Sequence, residues 1–243
     1  MPEFDLKEEI MSSPERADDA STREVQYNRL LEVAEHHGRT ELGLMMNQAW
    51  HDDPKRLTFT FARYKFAARM LTGCQNVLEV GCGDAFPSRI VQQEVGKLTV
   101  TDFDPIFIQE AQRRSVAGWE LAGAFVHDML SGPPQGQYDG MYALDVLEHI
   151  VPENEDLFLS NMAASLDPNG TMIIGMPSLE SQPYASKLSK EGHVNCKSQP
   201  ALKETMQRHF HNVFMFCMND EVLHVGYHKM AHYVLALCCN KKA

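Results

Sequence analysis

Positive charge is scarce in this sequence: 22 Lys and Arg stand against 33 Asp and Glu, a formal net charge of −11. A nucleic-acid groove or an anionic membrane surface needs clustered cations, so neither a nucleic acid nor a membrane is expected as partner. Long apolar runs are missing as well, and none approaches the roughly 20 residues of a membrane-spanning helix. The cysteines (Cys74, Cys82, Cys196, Cys217, Cys238 and Cys239) form no C-x-x-C pair. Most lie in apolar runs, where a thiol behaves as a small hydrophobe. Neither a disulfide framework nor a structural zinc site is expected. Met1-Pro2-Glu3-Phe4-Asp5 has neither the basic start nor the apolar stretch of a signal peptide. The expected setting is therefore reducing and cytoplasmic.

What is present is enough apolar material, 44% of 243 residues, for one sizeable domain with an added segment. Residues 1–20 are polar and acidic, and are expected to form a flexible arm. Residues 21–72 read as a helical N-terminal extension or cap. Tyr27, Leu30, Leu31 and Val33 recur near a helical period that ends at His36-His37-Gly38. A second helix is expected over 41–50, and Asp52-Asp53-Pro54 opens a third that carries Leu57, Phe59, Phe61, Tyr64 and Phe66.

From residue 73 to 243 strands alternate with helices. Strands are expected at 77–80, 98–101, 123–126, 138–143 and 171–175, with turn chemistry at Asp167-Pro168-Asn169-Gly170. Pro105 and Ser198 mark helix starts. Apolar stretches at 213–218 and 231–239, joined by a short linker, suggest a hairpin-like finish. The fold class is α/β: a doubly wound, seven-stranded, mostly parallel sheet with an antiparallel last strand and the helical N-terminal extension.

Ligands of such sheets bind outside the carboxyl ends of the strands. Each end here carries an acid or a glycine: Glu79, Gly81, Asp102, Asp128, Leu144-Asp145 and Gly175. Gly81-x-Gly83 with Asp102 has roughly the spacing of a dinucleotide fingerprint. The third glycine would fall at Phe86, which is too large to sit under a pyrophosphate, so a nicotinamide-dependent dehydrogenase is disfavoured. No Gly-Lys-Ser/Thr grips a phosphate. A phosphate-free nucleoside fits better. Asp102 can accept from ribose hydroxyls, Asp128 from an exocyclic amine, and Glu79 can sit near a cation or ammonium group. Three acids around one pocket would repel a polyphosphate.

Glu79-Val80-Gly81-Cys82-Gly83, Asp102-Phe103-Asp104-Pro105, Asp128-Met129 and Tyr138-Asp139 with Leu144-Asp145-Val146-Leu147-Glu148-His149 resemble, in order, the motifs of class I (Rossmann-like) S-adenosylmethionine-dependent methyltransferases of the small-molecule type. The resemblance spans about 77–178. It implies S-adenosyl-L-methionine as cofactor. Glu79, Gly81, Cys82 and Gly83 would hold its methionine part, Asp102 the ribose and Asp128 the adenine amine, with Phe103 and Met129 counted beside those acids. Leu144 and Asp145 would lie beside the sulfonium and the substrate. Ala85 departs from the pattern, since many members have another glycine there.

The catalytic candidates are His149, just past strand four, and His193. Gly192-His193-Val194-Asn195 resembles a His-x-Asn segment of small-molecule and sugar methyltransferases, which would place His193 and Asn195 where a substrate enters. Each histidine has a plainer reading, as a residue that packs or caps locally. Asp145, His224 and Tyr227 are further substrate candidates. His224 and Tyr227 lie in the connection 219–228, whose histidines and acids match no specific ligand spacing, so no metal is expected. Arg63, set among Phe and Tyr, is a forked donor for the cofactor carboxylate or a member of a surface ion pair. The expected function is methyl transfer to a hydroxyl or amine of a small-molecule acceptor, sugar-type or another biosynthetic intermediate. The alternative is a catalytically silent S-adenosylmethionine-binding partner or sensor. A second copy of the chain, making a homodimer, is the other partner considered.

Overall fold

Residues 21–116 and 118–242 are described in the computed structural model, so the arm expected at 1–20 lies outside the described residues. The chain divides into a unit ending at Glu41 and a unit running from Leu42 onward. In the first, helix α1 (Asn28–His37) follows a 3-10 turn at Val25–Tyr27 and stops at Gly38 with φ 71°. Glycine suits that left-handed stop.

The second unit opens with α2 (Leu44–Asp52) and α3 (Lys55–Met70). The alternating part then follows as β1 (Val77–Val80), α4 (Arg89–Gln92), β2 (Leu98–Asp102), α5 (Pro105–Arg114), β3 (Gly123–Val126), β4 (Tyr138–Leu144), α6 (Glu155–Ala164) and β5 (Leu166–Pro177). It closes with α7 (Lys187–Gly192), α8 (Gln199–His209), β6 (Phe210–Asn219), β7 (Val222–His224) and β8 (Tyr233–Lys241). The Asp104 side chain accepts from Ile106 N at α5 and Ser198 from Ala201 N at α8, so both helix starts expected from sequence are capped.

The strands form one sheet in the order β3-β2-β1-β4-β5-β8-β6-β7. β1 to β5 pair in parallel, and β8 inserts antiparallel between β5 and β6. The mostly parallel α/β sheet with an antiparallel last strand is as expected, with one strand more. That strand, β7, pairs with β6 over three residues, too few for any periodicity to show. The turn signal at Asp167-Pro168-Asn169-Gly170 marks a bulge inside β5. Register against β4 jumps from Tyr138↔Leu166 to Gly140↔Thr171.

β1 and β2 are buried along their whole length, because helices cover both faces of a parallel sheet. Alternate side chains feed two cores. Leu78, Val80, Met141, Ala143, Met172 and Ile174 lie in one, and Val77, Tyr142, Leu144 and Ile173 in the other. The chain order reverses between β1 and β4, and the crevice at that switch point is where an α/β sheet takes a ligand. Among the described residues no helix is long and apolar enough to cross a membrane.

Candidate active site

The loop after β1 is built from left-handed backbone: Gly81 has φ 74°, Gly83 φ 52° and Ala85 φ 50°. A Cβ on Gly81 would strike the Val146 side chain, and one on Gly83 would strike Met45 Sδ. The loop is thus pressed between the end of β4 and the start of α2. Asp84 ties it to α2, since its Oδ2 accepts from Met46 N at 2.9 Å. Phe86, where a dinucleotide site wants a small residue, stacks on Phe61 with ring centroids 6.1 Å apart.

Asp102, the last residue of β2, braces this loop. Its Oδ2 accepts from Gly83 N at 2.9 Å and its Oδ1 from Asp104 N at 3.0 Å. Each carboxylate oxygen keeps a lone pair for a ligand hydroxyl. The neighbouring Phe103 is 74% exposed. Asp128 is exposed at the end of β3, with Oδ1 accepting from Leu130 N at 2.8 Å. Met129 and Cys82 are different, because both side chains are buried in the cores. Burial, with Glu79 and Asp102 nearby, pushes the Cys82 thiol far up from its ordinary pKa.

Glu79 does not open onto the ligand edge. It is 1% exposed, and Tyr64 and Tyr142 donate their hydroxyls to its two oxygens at 2.7 Å each. Burial raises its pKa to about 7, against the pull of these hydrogen bonds. The structure therefore places Glu79 inside the apolar layer beneath the loop.

Around the end of β4 lies a second group. Asp145 has φ 58° and donates its N–H to Gly175 O at 2.9 Å. Arg63 Nη1, from α3, donates to Asp145 Oδ1 and Oδ2 at 3.0 and 2.9 Å. The same guanidinium lies 3.8 Å over the Tyr233 ring. Arg63 Nε and the Tyr233 hydroxyl are buried without partners among the described residues. Tyr233 carried no signal in the sequence beyond being a polar tip in an apolar run. It reaches this place because β8 inserts beside β5, where Tyr233 pairs with Pro177.

Glu148 is 0% exposed, and neither of its carboxylate oxygens has a partner among the described residues. Burial, then the charge of Asp145, holds its carboxyl well above the usual range. Its backbone oxygen accepts from Val194 N at 2.8 Å and Asn195 N at 3.0 Å, which stitches the loop after β5 to the end of β4. His149 and His193 are brought together by this, with ring centroids 5.2 Å apart. His149 Nδ1 lies 2.9 Å from Gly192 O, and His193 Nδ1 lies 3.0 Å from Gln182 Oε1. Burial, then His149, lowers the His193 pKa.

The other substrate candidates lie elsewhere. Asn195 turns its amide to Oε2 of the buried Glu155 at 2.9 Å, and the same carboxylate also takes Lys197 and the exposed Arg208. His224 uses both ring nitrogens within its own connection, on Asn219 Oδ1 at 2.6 Å and Gly226 N at 3.1 Å. Tyr227 is 62% exposed beside His228. No hydrogen bond among the described residues joins His224 or Tyr227 to His149 or His193.

Residues 78–172 match the family model described as a methyltransferase domain. No curated protein matches the chain. Its fold is similar to that of the N-methyltransferase NodS from Bradyrhizobium japonicum WM9 in complex with S-adenosyl-l-homocysteine, with a TM-score of 0.60 and 21% identity over 78% of this chain and 92% of that one. It is also similar to DhpI in complex with the same ligand, with a TM-score of 0.57 and 15% identity over 90% of this chain and 96% of that one. A third likeness is to the CurJ carbon methyltransferase, with a TM-score of 0.57 and 12% identity over 87% of this chain and 64% of that one.

Proposed function

We propose that this chain, whose residues 78–172 match the methyltransferase-domain model, is a class I S-adenosylmethionine-dependent methyltransferase that moves a methyl group to a hydroxyl or amine of a small molecule, sugar-type or another biosynthetic intermediate. The observation that carries the reading is the Asp102 brace. One carboxylate fixes the glycine loop through Gly83 N and stands at the crevice edge with lone pairs to spare.

S-adenosylmethionine supplies an electrophilic methyl group on a sulfonium. The chain's own residues bind, orient and exclude water. Gly81 and Gly83 would let the backbone approach the methionine part of the cofactor, and Asp102 and Asp128 would accept from the ribose hydroxyls and the adenine amine. The unpartnered Nε of Arg63 supports its reading as a donor to the cofactor carboxylate. Leu144, the last residue of β4, and Asp145 after it would lie beside the sulfonium. With Nδ1 of His149 and His193 engaged, Nε2 of each ring keeps a lone pair to hold the polar hydrogen of the acceptor.

The test is calorimetric titration with S-adenosylhomocysteine and NAD, together with transfer of radiolabelled methyl to a panel of hydroxyl and amine acceptors. Binding of the homocysteine product and labelling of an acceptor are expected. NAD binding without product binding overturns the proposal. Product binding with no labelling of any acceptor favours the silent binding protein instead. His193→Ala should lower turnover and leave product affinity unchanged, and an unchanged rate would return His193 to a packing role.

A further inference from the structure

We propose that Glu148, His149 and His193 form a binding site for a divalent transition-metal cation such as zinc, on the acceptor side of the switch-point crevice. One ligand atom from each residue lies within 4.8 Å of the other two. The donors of a tetrahedral zinc shell sit roughly 3.4 Å apart, given metal–ligand bonds of about 2.0–2.2 Å. Small side-chain rotations close that difference.

Three features of the surroundings are those of a built metal site. First, both histidines have their second nitrogen spent on a fixed acceptor: His149 Nδ1 on Gly192 O at 2.9 Å, His193 Nδ1 on Gln182 Oε1 at 3.0 Å. Such outer partners select the tautomer that leaves Nε2 free for a metal. The Gln182 amide is itself oriented, since its Nε2 donates to Ser178 O at 3.1 Å and Ser181 Oγ at 3.3 Å. Second, Glu148 is wholly buried with both oxygens unpartnered among the described residues. A carboxylate in that position needs a cation or a proton. Third, the backbone bonds from Val194 N and Asn195 N to Glu148 O hold the ligand-bearing segments together without help from an ion.

The ligand chemistry selects the ion. Two imidazoles and one carboxylate suit zinc and its first-row neighbours, whereas calcium and magnesium take oxygen shells. Three protein ligands leave a coordination position open, as catalytic sites do. An oxygen of the acceptor is its natural occupant. That last step deepens the proposed function and rests on it, because the histidines would then reach the acceptor through the cation. The cation site itself stands on the side-chain geometry alone.

The full chain, stripped with a chelator, is titrated with zinc by calorimetry, and with cobalt(II) by visible absorption. One ion per chain is expected, with the intense visible bands of a low-coordinate cobalt site. Glu148→Gln and His193→Ala should each weaken uptake at least about tenfold, and Gln182→Leu by about 10–100-fold. The cobalt spectrum of the wild type decides the matter if a variant does not fold. Absence of stoichiometric uptake by the wild type overturns the proposal. So does uptake that survives both Glu148→Gln and His193→Ala, which would assign the ion to surface histidines. Titration of the same samples with S-adenosylhomocysteine separates the two readings. Product binding without cation uptake overturns the metal site alone, and cation uptake without product binding upholds the site and counts against the methyltransferase.

Discussion

Arg63 Nη1 donates to both carboxylate oxygens of Asp145, at 3.0 and 2.9 Å, across 82 residues of sequence. The pair pins α3 to the end of β4, where Asp145 holds φ 58°, a conformation that costs a non-glycine residue about 1 kcal/mol or more. Arg63 also covers the Tyr233 ring. Arg63→Ala leaves Asp145 beside the buried Glu148 with its cation gone. Urea denaturation should show a loss of about 1–3 kcal/mol. Arg63→Lys keeps the charge but not the planar stack on Tyr233, and should fall between the two.

Asp102 braces the glycine loop and is the residue proposed to take the ribose. Asp102→Ala removes the acceptor of Gly83 N and the charged partner proposed for the ribose. Affinity for S-adenosylhomocysteine should drop by about 1–3 kcal/mol in calorimetry. Wild-type affinity in this variant would show that the ribose lies elsewhere.

Gly81→Ala tests the loop sterically. The new methyl group would need a left-handed φ of 74° and would meet Val146, a stiff β-branched side chain at the end of β4. Product binding should be lost and the melting temperature lowered. Gly83→Ala meets only the flexible Met45 Sδ and should be the milder change.

Glu79 gives the stability a pH dependence. Its folded-state pKa of about 7 lies above the ordinary 4.5, because burial favours the neutral carboxyl. The contribution is fully present below pH 4.5 and is lost as pH rises through 7. The loss is on the order of 3 kcal/mol across that window. Glu79→Gln cannot ionise and keeps an oxygen for one tyrosine hydroxyl, so its stability should fall less steeply than the wild type's over the same range, the remaining slope coming from other groups such as the buried Glu148. Parallel pH profiles for the two proteins would show that Glu79 does not titrate there.

The β–α alternation was legible in the sequence because strand and helix periods and caps such as Asp104-Pro105 are local signals. The pairing of Gly81 and Gly83 with Asp102 was legible for a related reason. A strand, a glycine turn, a helix and the next strand form one short right-handed unit, so their ends meet. The same logic stops at Glu79. Its position on β1 was readable, but only Tyr64 from α3 and Tyr142 from β4 show that it is a buried acid rather than a free one.

Tertiary structure alone decided which groups gather beyond the end of β4. The sequence drew attention to histidines around 219–228, yet His224 is satisfied within its own connection. Tyr233 and His193 reach the end of β4 because β8 inserts beside β5 and because Glu148 O takes the N–H groups of Val194 and Asn195. Residue types, turn chemistry and the identity of the strand ends are properties of neighbours along the chain, and sequence determined them. Which distant groups share a pocket follows from strand order and from contacts spanning more than 40 residues, such as that between His149 and Gly192, which no local pattern encodes.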